Sequence, residues 1–185
     1  MNSQSATTPD LRLRSENRAF LALGSNLPSA VGSPAETVLA AMDEIAGWSD
    51  RPLLRSSLWS SKPMECPPGS PDFINAVLAM VPRESETPRS LLIRMLELEQ
   101  RFGRQRSTVV NYPRSLDADL ISFGEQIIVE TGLILPHPRA HCRTFVLLPL
   151  AEIAPNLQLP GHSLQVHEMA REMAESGGDS AKIVG

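Results

Sequence analysis

Cysteine is scarce in this chain: Cys66 and Cys142 are the only two, far apart and without C-x-x-C spacing. A disulfide framework needs more cysteines in a smaller chain, and a structural zinc site needs clustered ligands. Both thiols are therefore expected to be reduced, and structural or at the surface. Lysine is just as scarce. Only Lys62 and Lys182 occur among 17 basic residues, and neither stands in a G-x-x-x-x-G-K-[ST] context. A P-loop is thereby excluded, and any phosphate has to be handled by arginine and metal. Long apolar runs are missing too, since those at 76–81 and 145–148 fall far short of a membrane span. The N-terminal residues carry no apolar stretch of the secretory kind, so a soluble cytoplasmic protein is the expectation. A net charge of −4 argues against a general nucleic-acid binder, which needs a basic face.

With 185 residues, 42% of them hydrophobic and 21% charged, the chain matches one ordinary globular domain. That domain is expected across 18–175, with flexible polar tails at 1–17 and 176–185. Residues 18–23 read as a strand closed by Gly24, Ser25 and Asn26. Ser33, Pro34 and Glu36 then write a capping box, and the helix behind it has an apolar stripe of Val38, Leu39, Met42 and Ile45. Strands follow at 53–61 and 73–81, the second almost continuously apolar. Thr87 and Pro88 open a second helix with a stripe of Leu91, Leu92, Met95, Leu96 and Leu98. A strand at 116–123 turns at Gly124 into a partner strand at 126–129. A short apolar element and a final amphipathic helix at 164–174 complete the pattern. Strands and helices alternate without a Gly-rich nucleotide turn, which predicts an α+β fold: a mainly antiparallel sheet with flanking helices.

Asp117 and Asp119 carry the sharpest chemical signal. Side chains two apart on a strand share a face, so both carboxylates project together while Leu116, Ala118 and Leu120 turn to the core. Two hard oxygen ligands so placed can hold one Mg²⁺ or clamp two. The same spacing also occurs on half-exposed strands bearing two solvated acids. Context adds weight. Residues 101–114 hold four arginines, Arg101, Arg104, Arg106 and Arg114, and no acid; Arg139 and Arg143 follow. Such a loop beside metal-binding carboxylates neutralises a polyphosphate from the opposite side. His137, between two prolines, is either a phosphate or ribose contact or a loop histidine of no consequence. Phe73 and Phe145 are either core or the two faces of a slot for a flat heterocycle whose edge Asn75 reads.

Six segments in order give these residues a common frame: A-L-G-S-N (22–26), P-D-F-I-N-A-V (71–77), E-x-x-x-G-R-x-R (99–106), P-R-S-L-D-A-D-L (113–120), L-P-H-P-R (135–139) and R-T-F-V-L-x-P-L-x-E-I-A-P (143–155). Over residues 18–170 the chain resembles the 6-hydroxymethyl-7,8-dihydropterin pyrophosphokinase family. The resemblance implies a ferredoxin-like core and transfer of the β,γ-diphosphate of ATP to the pterin hydroxymethyl oxygen, with release of AMP, in folate synthesis. It implies two Mg²⁺ ions on Asp117 and Asp119, and Arg104 and Arg114 as catalytic residues on a mobile loop. Glu99, Leu120, His137 and Arg143 join those arginines in binding ATP. The pterin is expected between Phe73 and Phe145, its edge read by Asn75 and by backbone at Ser61 and Pro63. Partners are small molecules, and a monomer is the expectation. The chain departs from the family pattern at Asn111, commonly tryptophan, and at Lys62, commonly proline. Two other readings remain at this level: a kinase moving only the γ-phosphate to a small alcohol, and a degenerate nucleotide-binding protein without activity.

Overall fold

The computed structural model describes residues 18–105, 109, 111–176 and 181–184. The expected tail at 1–17 and Arg106 lie outside them. In chain order the elements are β1 (Ala19–Ser25), α1 (Pro34–Ala46), β2 (Leu54–Arg55), β3 (Trp59–Ser61), β4 (Phe73–Met80), α2 (Pro88–Arg101), β5 (Asp117–Phe123), β6 (Ile128–Glu130), β7 (Leu133–Leu135), α3 (Thr144–Ile153), α4 (Val166–Glu175) and β8 (Ala181–Ile183). A 3-10 turn, Ala140–Cys142, precedes α3.

The main sheet is antiparallel throughout, in the order β5-β1-β4-β3-β8, with β2 beside β4. The run β1-α1-β2/β3-β4-α2-β5 is a doubled, split βαβ unit, the ferredoxin-like core. Helices cover both faces. Alternate residues of the central strands decide which helices they meet. Leu21, Leu23, Ala76, Leu78 and Ala118 pack under α1 and α2, on Val38, Met42, Ile45, Leu91, Met95 and Leu98. Phe20, Ala22, Val77, Ala79 and Ile121 pack under α3 and α4, on Val146, Leu147, Leu150, Val166 and Met169. Each large side chain so buried contributes about 1.5–3 kcal/mol.

Helix α1 starts as its sequence dictates. The Ser33 N–H donates to Glu36 Oε2 at 2.8 Å, and Glu36 N–H returns to Ser33 Oγ at 3.4 Å. Such a cap stabilises the helix by about 1 kcal/mol.

Five expectations are corrected. Strand β1 runs on through Gly24 and Ser25, because both pair with β4. The strand expected at 53–61 is two short pieces, separated where buried Ser56 accepts from Val77 N–H at 2.9 Å. Leu39 is exposed, one position off the face that Thr37, Val38, Ala41, Met42 and Ile45 bury. The segment after Gly124 pairs with β7 as a separate hairpin instead of returning along β5. Within the expected C-terminal tail, Ala181–Ile183 forms β8 on the free edge of β3, and Val184 N–H bonds Leu58 O at 2.8 Å. Among the described residues no helix is long and apolar enough to cross a membrane.

Candidate active site

The ladder register builds the floor of the site. Trp59, Asn75, Gly24 and Asp117 lie in one row across β3, β4, β1 and β5, with Ala22 paired to Asp119 in the next. Strand alternation turns this row to the face that α3 covers. That helix begins only at Thr144, so Arg143 and Phe145 stand at its end and the row stays open beside them. Gly24 keeps the floor low: a Cβ there would sit 3.4 Å from Asn75 Oδ1 and 3.7 Å from the Phe73 ring.

Two adjoining clefts meet over the acids. The first is lined by Gly24, Ser61, Phe73, Asn75 and Phe145. Buried Asn75 donates to Ser61 Oγ at 2.9 Å and to Trp59 O at 3.3 Å, which fixes its amide. An arginine stands over each ring: Arg114 at 5.4 Å from the Phe73 centroid and Arg143 at 5.4 Å from that of Phe145. The second cleft is polar, lined by Glu99, Arg104, Tyr112 and Arg139. Asp117, Asp119, Arg114 and Arg143 line both. Leu120 and His137 line a third hollow, which Asp119 also borders. Pro63 is absent from these walls, although its neighbours Lys62 and Met64 line the first cleft.

The two acids are held differently. Asp117 accepts from Arg104 Nη1 at 2.5 Å and from Arg114 Nη2 at 2.6 Å, so both its oxygens are engaged. Asp119 is looser, with Arg143 Nη1 at 3.6 Å and His137 Nε2 at 4.0 Å, and its side chain is more exposed, 35% against 20%. Burial raises the Asp119 carboxyl above its ordinary range and the Asp117 charge adds to this, against His137 and Arg143. Burial lowers the His137 imidazole. Its Nδ1 accepts from Arg139 N–H at 3.2 Å, which directs an Nε2 proton toward Asp119 when the ring is neutral.

Glu99 lies behind this pair. It accepts from Ala118 N–H at 2.8 Å and from Arg104, and burial, against the pull of Arg104, pushes its carboxyl from 4.5 up to about 7. Asn26 positions Arg114 from the other side. Its Oδ1 accepts from Arg114 N–H at 2.8 Å, its own N–H donates to Arg114 O at 3.1 Å, and its amide reaches Pro71 O at 3.2 Å. Asn111 has φ +53°, a left-handed conformation that asparagine tolerates far better than a bulky aromatic. Its amide donates to Glu65 O at 3.1 Å, tying the arginine loop to the segment beside β3.

The sequence reading missed Asn26, Gly24 and both cysteines. The A-L-G-S-N run flagged the first two without revealing their partners. Nothing in the spacing of Cys66 and Cys142 announced that both line the first cleft.

A strand-borne acid pair ringed by arginines, between an aromatic slot and a polar cleft, suits the transfer of a phosphorylated group to a flat substrate. Comparison with known proteins gives the particular family. Residues 20–155 match the model of the 7,8-dihydro-6-hydroxymethylpterin-pyrophosphokinase (HPPK) family, and the chain belongs to it. It is 36% identical over 159 residues to the 2-amino-4-hydroxy-6-hydroxymethyldihydropteridine pyrophosphokinase of Haemophilus influenzae, covering 85% of this chain and 93% of that one. The Pseudomonas aeruginosa protein of the same name is 39% identical over 146 residues, covering 77% and 84%. Among solved structures, an HPPK-DHPS in complex with substrates superposes with a TM-score of 0.66 at 12% identity, over 87% of this chain and 44% of that one. The Plasmodium falciparum HPPK-DHPS wild type gives 0.64 at 13% identity, over 86% and 46%. These two likenesses speak for the fold. The chain is a diphosphotransferase of folate biosynthesis.

Proposed function

We propose that this enzyme takes the β,γ-diphosphate of ATP to the hydroxymethyl oxygen of the reduced pterin and releases AMP, with Mg²⁺ held by Asp117 and Asp119. One observation carries the reading: both carboxylates project from one face of β5 where the aromatic cleft meets the polar one. The donor set suits a hard cation. It offers two carboxylates and, among the described residues, no group of three or more His, Cys, Asp or Glu, so other ligands come from water and phosphate. Bound there, the ion would neutralise triphosphate charge and polarise the phosphoryl oxygens.

Phe73 and Phe145 sandwich the pterin, Asn75 and the backbone at Ser61 and Pro63 read its edge, and Glu99, Leu120, His137 and Arg143 hold the nucleotide. Arg104 and Arg114 neutralise Asp117 in the free protein; they would turn to the phosphates of bound ATP and leave the Asp117 carboxylate free to hold the ion. They then match the charge that develops toward the AMP leaving group. Little covalent help is needed, because orientation and charge neutralisation supply most of the acceleration in such transfers. A cytoplasmic, monomeric enzyme completes the proposal, checked by fractionation and by light scattering. The deciding experiment is product analysis with the reduced pterin alcohol, Mg²⁺ and ATP. AMP supports the reading; ADP, or no nucleotide turnover, overturns it.

A further inference from the structure

The A-L-G-S-N run at 22–26 ends on a residue to which the proposed chemistry gives no task. Asn26 is 2% exposed and lines neither the aromatic nor the polar cleft. Its amide has one orientation, because an N–H faces its oxygen and a carbonyl faces its nitrogen. Oδ1 accepts from Arg114 N–H at 2.8 Å, and Nδ2 donates to Pro71 O at 3.2 Å. Backbone doubles the first link: the N–H groups of Asn26 and Leu27 donate to Arg114 O at 3.1 and 3.2 Å. Pro71 lies two residues before Phe73. Arg114 in turn stands over the Phe73 ring and holds Asp117 at 2.6 Å. One buried amide thus joins the segment that seats an aromatic wall to the arginine beside the acids.

We propose that Asn26 is a positioning residue whose two ends serve two different steps. The amide oxygen sets Arg114 for the transfer, and the amide nitrogen sets Phe73 for pterin binding. The oxygen end acts on backbone. Arg114 follows Pro113, which has no N–H, so Arg114 N–H is the first donor after Tyr112 by which this stretch can be held. Its guanidinium lies at the far end of a long side chain, and a misplacement of about 1 Å can cost on the order of a hundredfold in rate. The nitrogen end acts through Pro71, which leads into β4 where Phe73 pairs with Ser61.

The inference rests on the pterin reading of the cleft, and the test keeps the two apart. Asn26→Asp retains the oxygen that accepts from Arg114 N–H but sets a second acceptor against Pro71 O. Asn26→Ala removes both ends. Single turnovers of the full chain with ATP, Mg²⁺ and varied pterin are run at about pH 8, where an aspartate is ordinarily ionised. They give the pterin half-saturation and the rate of AMP formation at saturation. Half-saturation should rise by about tenfold in both variants. The saturated rate should stay within about threefold of the parent in Asn26→Asp and fall by on the order of tenfold or more in Asn26→Ala. Placed on Arg114→Ala, Asn26→Ala should slow the saturated rate no further, since the side chain it positions is gone. Full additivity of those two changes overturns the inference alone. So do parent-like values in both variants, or an Asn26→Asp that loses as much as Asn26→Ala in both quantities. If urea unfolding shows that Asn26→Ala does not fold, Asn26→Asp decides: a raised half-saturation with a parent-like rate supports the inference, and a slowed rate overturns it. A parent that forms no AMP with pterin overturns the substrate reading and this inference with it.

Discussion

The two walls of the cleft are built by opposite means. On the β5 side, Glu99, Arg104, Asp117 and Arg114 form a chain of charges, with both oxygens of Asp117 already neutralised. On the β3 side, Glu152 of α3 accepts only from neutral donors: Ser57 N–H at 2.9 Å, Ser57 Oγ at 2.7 Å and Trp59 Nε1 at 3.1 Å. The first wall is paired in a way that a more highly charged ligand can undo. In the second, the Glu152 carboxylate is held by neutral donors, with no ion pair for a ligand to exchange, and it ties β3 to α3. The difference teaches that, on the proposed function, the side held by ion pairs is the one substrate would rearrange and the side held by neutral donors the one that would stay still.

The sharpest way to break this contrast is at Asp119, the acid whose oxygens are least engaged. Asp119→Ala should lower AMP release by on the order of a thousandfold or more, while circular dichroism and the melting transition stay near those of the parent. Residual turnover within about tenfold of the parent would remove Asp119 from the metal site. Arg114→Ala comes next. It should slow the chemical step by on the order of a hundredfold and raise the pterin KM only a few-fold through the lost contact with Phe73. Single-turnover kinetics separate the two. Equal losses in both would mean that Arg114 belongs to the still wall.

The two walls also differ in how easily sequence reveals them. The acid pair, its shared face and the capping box of α1 are local patterns of period two or three, and such patterns survive in a linear string. The β8 strand does not, since three residues with no alternation pair with β3 only because that edge is free. Leu39 misled for a related reason: it is as apolar as its neighbours but falls outside the arc that α1 turns inward. Asn26, Gly24 and the two cysteines were illegible because their meaning lies in partners many residues away. The ladder register, fixed by β1 and β4, brings Gly24 to Asn75, and the Asn26–Arg114 bonds span 88 positions.

A pH titration sharpens the charged wall. The Glu99 carboxyl is raised in the folded protein, so the folded state holds this proton after the unfolded chain has lost it. Its contribution is full below pH 4.5 and is lost as pH rises toward about 7. The loss amounts to about 3 kcal/mol by linkage. Glu99→Gln should therefore flatten the fall of stability across that window, measured by urea unfolding on either side of it. A parent whose stability is flat or rising there would show that Arg104 holds Glu99 ionised throughout.

Glu152 gives the smallest effect and the opposite sign. Burial alone would raise its carboxyl, but the hydrogen bonds from Ser57 and Trp59 hold it below its usual value. Its contribution is therefore present at neutral pH and is lost only as pH falls through the depressed folded value. Glu152→Ala leaves the donors of Ser57 and Trp59 without their acceptor at a partly solvated site, a cost of about 1–2 kcal/mol in unfolding free energy. The same change loosens β3 against α3. Since Trp59 O and Ser61 Oγ fix the Asn75 amide, the pterin KM should rise by about tenfold, with kcat at saturating pterin nearly unchanged. Glu152→Gln keeps one acceptor oxygen and should restore most of that KM. A kcat loss without a change in pterin KM would instead mean that this wall moves during turnover, and the contrast between the walls would fail.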